Sequence, residues 1–193
     1  MGIPKIQENE RFNYARYRTW PEGERWELID GEAYAMSPAP NRRHQDVISS
    51  LGLELLNFFK GKPCKVYFSP FDVVLPRAGQ SDDESENVVQ PDLLVICDPK
   101  KLTDAGCTGA PDFTVEILSP STSFKDMDQK LRLYERTGVQ EYWIVNPANK
   151  TLMVYRQRTS GTFGKPELYS QDDVVEAGIF PGLKVSLPEI FAP

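Results

Sequence analysis

Asp112-Phe113-Thr114-Val115-Glu116-Ile117-Leu118 is the stretch from which the fold can be read. Its apolar content marks a buried strand over Phe113 to Leu118. Strand alternation sends Phe113, Val115 and Ile117 to one face and Thr114, Glu116 and Leu118 to the other. Glu116 therefore lies mid-run, where an unpaired carboxylate is costly to bury. It requires an arginine, a lysine or a metal ion. A structural ion pair would meet that need as well as a catalytic centre would.

The next clues flank this strand. Upstream, Val88 to Cys97 carries Leu93-Leu94-Val95-Ile96, a second short buried strand. Asp92 follows Pro91 at its mouth. Adjacent strands would bring Asp92 and Glu116 to one edge of the sheet, and a pair of carboxylates suits Mg2+, a hard ion that keeps several waters. Alternatively, Asp92 is a turn residue after proline. Downstream, Ser119-Pro120-Ser121-Thr122 leads into a helix, with Ser123 and Asp126 as a candidate capping box. That helix ends at Thr137-Gly138. Its apolar stripe is Phe124, Met127, Leu131 and Tyr134, and Lys130 falls on the flank of this stripe. A lysine there either snorkels along the surface or points into a cleft.

Toward the N-terminus, Trp26 to Met36 reads as a hairpin. Asp30-Gly31 is a type I′ turn signal that sets Ile29 opposite Glu32 and Glu27 opposite Tyr34. Glu27 is either a third site carboxylate or a cross-strand surface partner. Ser37-Pro38-Ala39-Pro40 breaks the chain, and a helix follows over Asn41 to Lys60. Val47, Ile48, Leu51 and Leu55 recur there at helical spacing. His44 shares their stripe and reads as a satisfied core histidine or a site residue. Arg42-Arg43 are a solvated pair or a phosphate contact. Cys64 to Leu75 forms one or two strands broken near Ser69-Pro70. Pro76 to Asn87, with Asp82, Asp83, Glu84 and Glu86, is a solvated acidic loop, expected to be mobile and without the ligand spacing of a calcium loop. Strands at Glu141–Val145 and Leu152–Tyr155 follow, then short strands and a brief helix near Leu187 to Phe191. This order implies an α/β fold, a mixed β-sheet flanked by helices with an N-terminal β-hairpin.

The 193 residues suit one domain over 1–193, with residues 1–13 as a flexible arm, 14–160 as the core and 161–193 as C-terminal strands and a short helix. No apolar run is long enough to span a membrane and no leader pattern opens the chain, so the expected location is cytoplasmic. Three cysteines, Cys64, Cys97 and Cys107, lack CxxC spacing; they read as buried free thiols rather than a disulfide framework or zinc ribbon. The net charge of −6 argues against non-specific coating of nucleic acid.

Several separated runs together resemble one family. They are Pro91-Asp92; Glu116-Ile117-Leu118-Ser119-Pro120-Ser121-Thr122; Lys130 with Tyr134; and Gly138-Val139-Gln140-Glu141-Tyr142-Trp143-Ile144-Val145. Glu27-Leu28-Ile29-Asp30-Gly31-Glu32 and the segment from Ser37-Pro38 to His44 match as well. The chain is similar over residues 14–160 to the Uma2 family of restriction-endonuclease-like proteins, within the PD-(D/E)XK nuclease superfamily. The resemblance implies a restriction-endonuclease-like fold and metal-dependent hydrolysis of DNA. Asp92 and Glu116 would hold Mg2+ (or Mn2+), and Lys130 would act with them. Leu118 stands where the wider superfamily carries its lysine, and Lys130 matches the position to which that lysine has moved on the helix. Glu27 and His44 are further catalytic candidates. A catalytically degenerate nuclease-fold binding module is the alternative. A homo-oligomer, a dimer formed through aromatic strands that include Tyr142 and Trp143, is also expected.

Overall fold

The computed structural model describes residues 10–21, 23–36, 41–119 and 125–192. A short helix α1 (Tyr14–Tyr17) is capped by the Asn13 side chain, which accepts from the Arg16 N–H at 3.0 Å. Phe12, expected within a flexible arm, is instead buried, and its N–H donates to the Gly31 carbonyl at 2.8 Å. The apolar ring supplies the reason, since it packs edge-on against Trp20 with centroids 5.3 Å apart. Residues 1–9 of that arm lie outside the described residues.

The hairpin follows the register read from its turn. Strands β1 (Trp26–Ile29) and β2 (Glu32–Ala35) pair antiparallel, with Ile29 opposite Glu32 and Glu27 opposite Tyr34. Asp30 and Gly31 have φ of 50° and 78°, as a type I′ turn demands. Helix α2 (Arg42–Phe59) starts at Asn41, whose side chain accepts from the His44 N–H at 3.0 Å. His44, Val47, Leu51 and Leu55 form its buried stripe. Gly52 lets the helix approach the sheet, because a Cβ there would lie 2.5 Å from the Phe68 ring. The Ser37–Pro40 break lies outside the described residues.

Strands β3 (Lys65–Phe68) and β4 (Asp72–Val74) flank a cis Ser69-Pro70 bond. After them come β5 (Val88–Val89), β6 (Leu93–Ile96), β7 (Leu102–Thr103), β8 (Gly106–Thr108) and β9 (Phe113–Ile117). A π-helical segment, Lys125–Lys130, runs into helix α3 (Leu131–Thr137), which ends on Gly138 in the left-handed conformation. The remainder comprises β10 (Glu141–Asn146), β11 (Thr151–Arg156), β12 (Glu167–Ser170), β13 (Val174–Glu176), β14 (Lys184–Ser186) and helix α4 (Leu187–Ile190).

The described strands form two six-stranded sheets, ordered β2-β1-β5-β4-β8-β7 and β12-β11-β10-β9-β6-β3, and a β13-β14 pair. Strand β9 runs parallel to β10 and antiparallel to β6, so this sheet is mixed. Alternation along β9 divides two cores. Phe113, Val115 and Ile117 pack with Val47, Leu51 and Leu55 of α2. On the other side, Leu118 packs against the cluster of Leu94, Ile96, Leu133, Tyr134, Tyr142 and Ile144. The fold is α/β, as expected.

Several expectations are corrected. Cys64 and Cys97 are joined in a disulfide rather than free. Lys65 pairs with Ile96 across β3 and β6, so the two cysteines occupy the next cross-strand position, where sequence spacing carries no signal. Cys107 is the buried free thiol. The acidic loop keeps Asp82, Asp83 and Glu84 exposed but is tied down. The Ser81 N–H and hydroxyl both donate to Glu84 Oε2, at 2.8 and 2.7 Å, and the buried Asn87 side chain accepts from the Asp30 N–H at 2.9 Å. Tyr142 and Trp143 are wholly buried inside the protein, so an interface built on them is ruled out. Among the described residues no helix is long and apolar enough to cross a membrane.

Candidate active site

Three elements converge on Lys130. Strand β1 supplies Glu27, β9 supplies Glu116, and the helix preceding α3 supplies the lysine. Lys130 Nζ lies 2.7 Å from Glu27 Oε1 and 2.7 Å from Glu116 Oε1, with Asp126 Oδ1 at 3.7 Å. Its side chain is only 3% exposed, so it does not snorkel along the surface but is buried among these carboxylates. Glu27, which sequence left between a site role and a surface pair, is buried at 0% exposure. Its Oε1 accepts from the Gln90 N–H at 2.9 Å, and its Oε2 binds the Lys125 ammonium. The Tyr134 hydroxyl donates to Glu116 Oε1 at 2.8 Å.

The π-helical winding explains how the helix presents these groups. A regular α-helical stripe would bury Met127, yet Met127 is 43% exposed while Asp126 and Lys130 are each 2% exposed. The wider turn rotates the charged residues inward and the methionine outward, and such segments recur at functional sites. Lys125 and Asp126 were therefore missed as site residues. The spacing Asp126, Lys130, Tyr134, four apart each time, was the available signal. The expected Ser123 cap and Phe124 lie outside the described residues.

Asp92 and His44 form an adjoining pair. His44 Nε2 lies 3.2 Å from Asp92 Oδ2, which also accepts from the Ile117 N–H at 2.7 Å. Asp92 is thus bound to the residue next to Glu116, at the mouth of β6 as the sequence implied. His44 is buried, and its Nδ1 has no hydrogen-bond partner among the described residues. Arg42 and Arg43 are exposed, and Arg42 pairs with Asp46 at 2.9 Å.

Burial and charge pull the two glutamates in opposite directions. Burial alone would raise the Glu27 carboxyl, but the ammonium groups of Lys130 and Lys125 outweigh it and hold Glu27 at about 2. Burial raises Glu116 well above the ordinary range; Lys130 opposes this, while Asp126, Asp92 and Glu27 add to it. Burial would discharge Lys130, but Glu116, Glu27 and Asp126 keep it protonated. The cluster is an ammonium fixed among carboxylates, in which Glu27 is held ionised and Glu116 is pushed toward its protonated form.

Among the described residues no group of three or more His, Cys, Asp and Glu side chains is arranged to hold a metal ion. Asp92 and Glu116 nevertheless fit by donor type. Asp92 sits on the backbone amide of the residue after Glu116, and carboxylates suit a hard cation that retains its water and needs only one or two such ligands.

The chain belongs to the Uma2 family: a family model described as "Uma2: Putative restriction endonuclease" matches residues 14–188. An uncharacterized protein of Synechocystis sp. is 27% identical over 162 residues, covering 82% of this chain and 78% of that protein. A crystal structure from Anabaena variabilis, described as "a putative nuclease belonging to DUF820", matches with a TM-score of 0.73 over 92% of this chain and 96% of that one, at 21% identity. That likeness establishes the restriction-endonuclease-like fold.

Proposed function

We propose that this protein is a metal-dependent endonuclease that hydrolyses phosphodiester bonds of DNA. The observation that carries the reading is the Lys130 ammonium, buried between Glu27 and Glu116, with Asp92 bound to the Ile117 amide next to Glu116. Asp92 and Glu116 would hold Mg2+ (or Mn2+). When bound, such an ion neutralises charge on the scissile phosphate and lowers the pKa of attacking water. Lys130 supplies a fixed cation whose N–H donors can meet the water or a phosphate oxygen as negative charge develops there. Glu27 is a positioning residue that holds Lys130 in place. Tyr134 orients the Glu116 carboxyl, and His44 orients Asp92.

The test is cleavage of single- and double-stranded DNA in Mg2+ and in Mn2+, by the wild-type protein, Asp92→Ala and Lys130→Ala. Activity in the wild type that is lost in both variants supports the reading. Equal activity in all three sinks it. One observation favours a second reading, a degenerate binding module: Glu116 already has Lys130 as a partner without any ion. Titration calorimetry separates the two, since that module would show no heat of Mg2+ or Mn2+ binding.

A further inference from the structure

We infer that Arg25 holds the phosphodiester backbone of a nucleic-acid strand at the mouth of this site. The inference rests on the nuclease reading and adds a binding residue to it. Arg25 immediately precedes β1, and alternation places it on the same face as Glu27, one step further out. Glu27 is buried; Arg25 is exposed. The Arg25 guanidinium donates from Nε and Nη2 to Gln90 Oε1, at 3.2 and 3.0 Å, and from Nη2 to the Ser69 hydroxyl. Both anchors lead inward. The Gln90 N–H donates to Glu27 Oε1 at 2.9 Å, and the Ser69 N–H donates to the Asp92 carbonyl at 3.2 Å. Arg25 therefore bridges, on the solvent side, the two halves of the carboxylate cluster.

Its guanidinium acts on the charge of nearby Asp72 but makes no direct ion pair among the described residues. Among the described residues its hydrogen bonds go to an amide and a hydroxyl, whereas Arg18, Arg77, Arg132 and Arg136 each pair with a carboxylate. Nearby Asp72 is itself engaged by the Tyr17 hydroxyl at 3.0 Å and the Gln90 amide at 2.8 Å. The bonds to Gln90 and Ser69 fix the plane of the guanidinium and leave its Nη1 hydrogens without a partner among the described residues. A planar fork pre-set in this way suits a phosphate oxygen. In a chain of net charge −6, a polyanion needs such a local cation to approach a cluster of carboxylates.

Binding of a fluorescent single-stranded DNA oligonucleotide, followed by anisotropy over a salt series with Ca2+ in place of Mg2+, tests this. Arg25→Ala and Arg25→Gln are compared with Arg25→Lys and with Lys184→Ala on the exposed β14 surface. The expected result is binding weakened about tenfold in Arg25→Ala and Arg25→Gln, with the slope of log K against log salt smaller by about 0.7, the value of one phosphate contact on a single strand. Arg25→Lys and Lys184→Ala should keep the wild-type slope. Unchanged binding in the Arg25 variants overturns the inference and leaves the nuclease reading standing. Weaker binding with an unchanged slope marks a structural strut and overturns it too. A wild-type protein that does not bind also overturns it, and a parallel cleavage assay then judges the nuclease reading separately.

Discussion

Lys130 balances Glu27 and Glu116 inside the protein, so removing its charge leaves Glu116 buried without its cation and Glu27 with Lys125 alone. Breaking a buried pair from one side costs about 3–5 kcal/mol. Lys130→Met should therefore lower the unfolding free energy by that order in urea titrations. Glu116→Gln keeps an acceptor for Lys130 and Tyr134 without the charge, and should cost far less. The pH dependence follows from the same two glutamates. Glu27 is depressed to about 2 from an ordinary 4.5, so the stability it contributes is complete above 4.5 and is lost as pH falls toward 2. Glu116 is raised, so its contribution is complete below 4.5 and is lost as pH climbs through its folded value. Urea midpoints across pH should show Glu27→Gln flattening the acid limb and Glu116→Gln flattening the loss above 4.5. A midpoint profile unchanged by either substitution would contradict this balance.

At the scale of elements, the Cys64–Cys97 bridge joins β3 to β6 across a sequence separation of 33. Closing a loop of that length is worth about 3–4 kcal/mol in the chain-entropy account. Cys97→Ser, or reduction with dithiothreitol, should destabilise the protein by up to that amount, as read by calorimetric Tm. The elements themselves were largely legible. The hairpin register followed from Asp30-Gly31, α2 from its apolar spacing, and both faces of β9 from strict alternation. Asp92, Glu116, Lys130, Glu27 and His44 all came from sequence, three of them joined through Lys130 and the other two by their own contact. What stayed hidden depended on pairing or on winding. A cross-strand disulfide needs the register of β3 against β6 before it can be seen. Likewise, Lys125 and Asp126 face inward only because the helix widens to π geometry, which a fixed angle of 100° per residue misplaces.

Across the whole molecule, β9 separates two kinds of interior. One side is the apolar layer with Val47, Leu51 and Leu55 of α2; the other holds Glu116, Lys130 and Tyr134. Leu55 is fully buried in the first layer. Truncating such a side chain costs about 2–5 kcal/mol. Leu55→Ala should lower the urea midpoint accordingly, while the DNA cleavage proposed for the protein should, per folded molecule, stay at the wild-type level. A fall in activity beyond the folded fraction would show that the two layers are coupled.

The turn at Lys125–Lys130 is also a point of mechanical fragility. Its register carries one residue more than an α-helix would need, so a single deletion within it would let the helix tighten. Met127 would then swing toward the interior as Lys130 swung away from Glu116. One lost codon could thus exchange a charged interior for a greasy one while every strand kept its place.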